Sequence, residues 1–179
     1  NEIQRLPVGN KEGRSAPAPG PMLHVQGFTP PAVLILNTLG SQLKGLIWDN
    51  NISNFKITNI FDFKSINAQM PLDFVLDYEQ KKLYVTTIKP GQLHVFDFRN
   101  NQPKINSRET INLAGGSRQI IISSDSKYIF IQNSYLNLPG MSDGSVMVLD
   151  KKSTKLLATS VALKNKGLNP NSLMLIPDG

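Results

Sequence analysis

Cysteine is absent from this 179-residue chain. The absence excludes a disulfide framework, a thiolate zinc site, a cysteine nucleophile and CxxC redox chemistry. It does not fix the compartment, because exported chains can also lack cysteine. Long apolar runs are missing too. The longest, Ala32–Leu36, is strand-sized and far below the roughly 18 residues a membrane helix needs. Charged residues make up only 18% against 40% hydrophobic, which argues against wholesale disorder. With 13 Gly and 12 Pro, chain breakers are too frequent for long helices. Histidine is scarce, with His24 and His94 the only two. A metal centre normally wants two or three converging His or carboxylate ligands, and no HExxH is present. There is no G-x-S-x-G elbow, P-loop or GxGxxG. The motifs therefore assign no catalytic residue, metal ligand or cofactor.

The net charge is +6, from 19 Lys+Arg against 13 Asp+Glu, with a pI near 9.6. The cations are scattered singly or in pairs such as Lys81-Lys82 and Lys151-Lys152. No run reaches five and no RNP-type aromatic motif appears, so no nucleic-acid partner is expected. Residues 7–21 (PVGNKEGRSAPAPGP) mix Pro, Gly, Ala and charge. Residues 1–21 are accordingly expected to be an extended Pro/Gly-rich tail or linker, and 22–179 the folded part.

From Met22 onward, short apolar runs alternate with turn clusters, and a repeat emerges. First strands are read at 33–37 (VLILN), 73–77 (DFVLD) and 118–123 (RQIIIS). Second strands follow at 45–50, 82–87 and 127–133, and third strands at 59–64 (NIFDFK), 94–99 (HVFDFR) and 145–150 (SVMVLD). Fourth strands are clear at 109–113 and 156–163 but cramped within 64–70. Ser172–Ile176 reads as a further first strand, and Met22–Gln26 as the fourth strand of a preceding unit. The recurring Asp62, Asp97 and Asp150 read as turn residues that accept backbone N–H groups, because a catalytic residue need occur only once. His94 reads as a surface or packed strand residue.

A small sheet that cannot bury both faces alone must stack on its neighbours, which predicts an all-β chain in the form of a partial β-propeller. The expectation is three four-stranded antiparallel blades, at about 31–70, 71–117 and 118–171. A strand is expected at each end, the last within 172–179. Three blades cannot close a ring, so the remaining blades are expected from the same or another polypeptide. Copies completing a ring and an open β-sandwich are the alternatives.

Several segments resemble the YVTN-type β-propeller repeat family: GLNP at 167–170, SSDSKYIFI at 123–131, KLYVT at 82–86, GSVMVLD at 144–150 and PDG at 177–179. The likeness is good over 71–179, weaker over 31–70 and absent over 1–21. It implies a larger, typically seven-bladed ring of an exported bacterial or archaeal protein, hence a periplasmic or extracellular location. It also implies relatives among quinoprotein, amine-oxidising and lactonase-like systems.

In such a ring, ligands dock on the loops joining second to third strands and on those between blades. The longest here, Asn133–Gly144, carries Tyr135, Leu136, Leu138 and Met141. Lys89 and Arg118 would make the neighbouring face basic. These six are the expected partner-binding residues. A non-catalytic scaffold or protein-binding module of the cell envelope, or a secreted one, is the first expectation. Part of a propeller enzyme is the alternative, and enzymatic activity stays open at this level.

Overall fold

Every apolar run in this chain ends in a residue suited to start a turn, and the strands follow from that punctuation. The computed structural model describes residues 19–26, 32–98, 105–113, 117–133, 145–159 and 173–176. Among the described residues there are twelve strands, one 3-10 turn and no α-helix. They form three four-stranded antiparallel sheets, each in sequential order. The first holds β1 (Pro19–Val25), β2 (Ala32–Asn37), β3 (Gln42–Asp49) and β4 (Asn54–Asp62). The second holds β5 (Gln69–Asp77), β6 (Lys82–Lys89), β7 (Gln92–Phe98) and β8 (Ile105–Asn112). The third holds β9 (Ser117–Ile122), β10 (Tyr128–Asn133), β11 (Ser145–Asp150) and β12 (Leu156–Thr159). The first strand of the second sheet lies against both neighbouring first strands, β1 and β9.

Four of the hairpin turns share one device. The last strand residue accepts turn N–H groups, and a non-glycine residue in the left-handed region delivers the chain into the next strand. Asn37 Oδ1 accepts from Gly40, Asp49 Oδ1 from Asn51, Asp77 Oδ1 from Glu79 and Gln80, and Asp150 Oδ1 from Ser153. The left-handed residues are Ser41, Ser53, Lys81 and Thr154, with φ of 57°, 48°, 54° and 55°. Gly40 is needed for close approach, since a Cβ there would sit 2.3 Å from Asn37 Nδ2.

The second and third units carry the strands the sequence predicts. The first unit is shifted by one. The VLILN run is β2, not a first strand, and 45–50 falls in β3 and its turn. NIFDFK spans the end of β4 and the 3-10 turn Phe63–Ile66. The end strand expected at Met22–Gln26 is part of β1, the first strand of this same sheet. The physical reason lies in β1 itself. It is an edge strand paired only with β2, with a register shift between Pro19 and Met22, and an edge tolerates proline's missing N–H. The apolar β2 is buried on both faces and so mimics the innermost position. At the other end, Leu173–Ile176 has no strand assignment, but its Leu173 main chain pairs with the Gln119 side-chain amide of β9 through both N–H and C=O.

The second sheet is the filling between the other two. Phe74, Leu76, Leu83, Val85 and Phe96 face the first sheet and meet Leu34, Leu36, Leu43 and Phe63. Tyr84, Leu93 and Val95, the alternate residues, face the third sheet and meet Ile120, Ile129, Ile131 and Leu149. Period-2 alternation with both faces apolar makes the strands near-continuous hydrophobic runs. Aromatic edges lock the first seam: Phe61 meets Phe63 at 5.2 Å and Phe96 at 5.0 Å between centroids.

The second seam also holds an ion pair. Lys151 Nζ lies 2.5 Å from Asp77 Oδ2, with both side chains at or below 4% exposure. Burial works against the Asp77 carboxylate. The Lys151 ammonium and the Gln80 and Glu79 N–H groups outweigh it and hold its pKa below the ordinary range. Replacing Lys151 by Ala strands a buried carboxylate and is expected to cost about 3–5 kcal/mol in urea unfolding at pH 7, whereas the Asp77→Asn/Lys151→Met pair should cost much less. Because the folded-state pKa of Asp77 is depressed, its contribution is full above the unfolded value. It should fade as the pH falls below 3.8, and the wild-type advantage over Lys151→Ala should shrink there.

Candidate functional site

The stack has two ends. At one, β6 turns into β7, β8 and β10 end, and β9 and β11 begin. Lys89 and Arg118 both belong to this loop end. Lys89 is the exposed last residue of β6, and the Lys89–Pro90 peptide is cis. Arg118 is on β9, across the seam, where its carbonyl accepts the Thr86 hydroxyl at 3.2 Å. Its Nε is buried and has no hydrogen-bond partner among the described residues. Tyr135, Leu136, Leu138 and Met141 lie outside the described residues.

Behind this face sit buried polar groups that serve the fold. The Thr87 hydroxyl donates to the Pro90 carbonyl at 2.9 Å, and its oxygen lies 3.2 Å from His94 Nε2. The Thr110 hydroxyl lies 3.4 Å from Nδ1. His94 is fully buried, stacked on Phe96 with its ring edge against Phe63. Both ring nitrogens thus have neighbours and none of the ring reaches solvent, as a packed strand histidine would. In the third sheet, the Ser117 hydroxyl donates to Asn133 Oδ1 at 2.7 Å, and Asn133 Nδ2 donates to Ser145 Oγ at 3.2 Å.

The carboxylates are similarly committed. Besides the hairpin residues, Asp62 Oδ1 accepts from Lys64 N–H to cap the 3-10 turn. Asp125 Oδ1 accepts from the Ser123 hydroxyl and the Lys127 N–H, which hold the turn into β10. These acceptor bonds pull the Asp125 and Asp150 pKa values below the ordinary range. Among the described residues no three His, Cys, Asp or Glu side chains gather as a metal centre would need. No helix there is long and apolar enough to cross a membrane.

The opposite end carries the first hairpins of the second and third sheets. There a cleft of about 520 Å³ opens between β5 and β9. Val75, Ile121, Ile122 and Leu175 line it, with Tyr78 and Glu79 from the β5–β6 turn. Tyr78 also ties the first seam, since its hydroxyl donates to the His24 carbonyl at 3.1 Å and accepts the Gln26 N–H at 3.4 Å. Sequence reasoning put the docking surface at the loop end and missed both this cleft and the seam residues. Asp77 could have been suspected as a strand-end turn residue. Lys151, one of a lysine pair, gives no such signal, because nothing local marks it as the buried member.

Asp73 of β5 reaches across the second seam to the Ile120 N–H at 3.0 Å. Burial pushes its carboxyl pKa up, and the Ile120 and Phe74 N–H groups pull it only partway back. A raised folded-state pKa in an acid means the wild type loses stability as pH rises through that range. Asp73→Asn keeps an acceptor without the charge. It should change stability by less than about 1 kcal/mol at pH 7, in the favourable direction, with an advantage that grows as the pH rises above 3.8 and then levels off. Asp73→Ala leaves the Ile120 N–H without an acceptor and should cost about 1–3 kcal/mol in the same unfolding assay.

No family model matches the chain, and no curated protein matches its sequence. Solved structures do match. A Lactobacillus plantarum protein aligns with TM-score 0.54 and 16% identity over 80% of this chain and 42% of its own. A 6-phosphogluconolactonase candidate from Bacteroides uniformis aligns with TM-score 0.53 and 14% identity, over 79% of this chain and 40% of its own. Kuenenia stuttgartiensis hydrazine synthase aligns with TM-score 0.51 and 16% identity, over 72% of this chain and 32% of its own. Identities this low speak for fold alone. The chain spans less than half the length of each of these propeller structures, and by architecture it is a partial β-propeller of three four-stranded blades.

Proposed function

We propose that this chain forms part of a non-catalytic β-propeller scaffold or binding module that grips a protein partner through its loop end. The contacts are Tyr135, Leu136, Leu138 and Met141 between β10 and β11, with Lys89 and Arg118 on the adjoining seam. The remaining blades come from the same or another polypeptide. The assembly is exported, to the periplasm, cell envelope or exterior, as the YVTN-type resemblance implies. One observation carries the reading: among the described residues, a histidine and five carboxylates are occupied in building the fold. His94 is packed away, and Asp49, Asp62, Asp77, Asp125 and Asp150 hold turns. A rigid stack of blades is suited to recognition through the loops that join its strands.

A second reading is kept because of the likeness to a lactonase candidate: this chain contributes blades to a propeller enzyme whose reacting groups lie in other blades.

The two separate experimentally. Changing Tyr135, Leu136 and Met141 to Ser, or the exposed Lys89 to Glu, should reduce partner retention from an envelope extract at least tenfold. The unfolding midpoint should hardly move. Unchanged retention, or 6-phosphogluconolactone hydrolysis above the uncatalysed rate, would favour the enzyme reading.

A further inference from the structure

We propose that the cleft between β5 and β9, at the end opposite the loops, receives a lysine side chain presented by a protein partner. The partner rests on the binding-module reading above, while the chemistry of the cleft stands on its own lining. Val75, Ile121, Ile122 and Leu175 give it aliphatic walls. Such walls suit the methylene stem of a long cationic side chain, which keeps its head at the polar rim. Leu175 is brought there by the Leu173–Gln119 amide pairing.

The rim sets the sign of the charge. Asp77 also lines the cleft, but its carboxylate is already matched by Lys151 at 2.5 Å. Lys127 and Asp125, flanking the lining residue Ser126, pair with each other at 3.3 Å. Glu79 is exposed and forms no ion pair among the described residues, so it leaves the lining net negative. Beside it the Tyr78 ring is 47% exposed and is anchored through its hydroxyl to β1. An aromatic side chain and a carboxylate on one rim favour a cation over an anion. Of the basic side chains, lysine carries the longer methylene stem to lie along aliphatic walls. The volume, about 520 Å³, has room for such a side chain.

The test is an amide-resolved NMR titration of the ¹⁵N-labelled chain with Nα-acetyl-lysine N-methylamide. Saturable shifts are expected at Tyr78, Glu79, Ile121, Ile122 and Ser126, with the rest of the spectrum unchanged. In Glu79→Gln the Kd should rise about fivefold, the worth of a partly exposed ion pair. The Nε-acetylated probe, which has the stem without the charge, should not saturate. No saturable shift, equal binding of the neutral probe, or an unchanged Kd in Glu79→Gln would each overturn the proposal. Because the probe is a small molecule, none of these outcomes depends on contacts at the loop end.

Discussion

The structure depends on one constraint: the second sheet is apolar on both faces. Leu83 and Val85 point one way and Tyr84 the other along the same strand, and none of the three reaches solvent. A four-stranded sheet of this kind gains little from folding alone, because half of its burial is supplied by each neighbour. The three sheets therefore stabilise one another as a series. Anything that parts one seam also exposes one face of the central blade.

Apolar faces alone would let the blades slide, and the polar contacts across the seams remove that freedom. Tyr78 ties β1, Asp73 ties β9, and Gln119 ties Leu173, so first strands are linked successively by a side chain reaching a neighbour's backbone. The Asp77–Lys151 pair adds a fully buried link in the second seam. A buried pair contributes little net energy over an apolar substitute, but it is satisfied in only one alignment. Alignment also shapes both ends of the stack, which are built where two blades meet. Thr86 and Arg118 meet across the second seam at one end, and Glu79 and Ile121 line the cleft at the other.

Much of this was legible in the sequence. The strands of the second and third sheets follow from apolar runs bounded by Asp, Gly and Lys. The turn roles of Asp62 and Asp150 follow from their recurrence at strand ends, whereas Asp97, read the same way, lies within β7 opposite Lys82. The first sheet was less readable. Pro19, Gly20 and Pro21 have the composition of a linker, and only an edge position lets such residues begin a strand. Once β1 was read as the end of a preceding unit, each later strand of that blade moved up by one place. The candidate sites were less legible still. Val75, Glu79 and Ile121 are distant in sequence, and what joins them is the stacking of two blades. Lys151 and Lys152 are neighbours of identical chemistry, and only the backbone path after Asp150 decides that Lys151 is buried and Lys152 exposed.

The central claim is that the three sheets stack in series, with the second between the other two. Side-chain proton cross-relaxation in the labelled chain tests it most directly. The account predicts cross-peaks from Phe96 to Phe61 and Phe63 and from Tyr84 to the β10 isoleucines, with none between Leu34 and Ile131. Strong Leu34–Ile131 contacts, as in a closed sandwich of the first and third sheets, would contradict it.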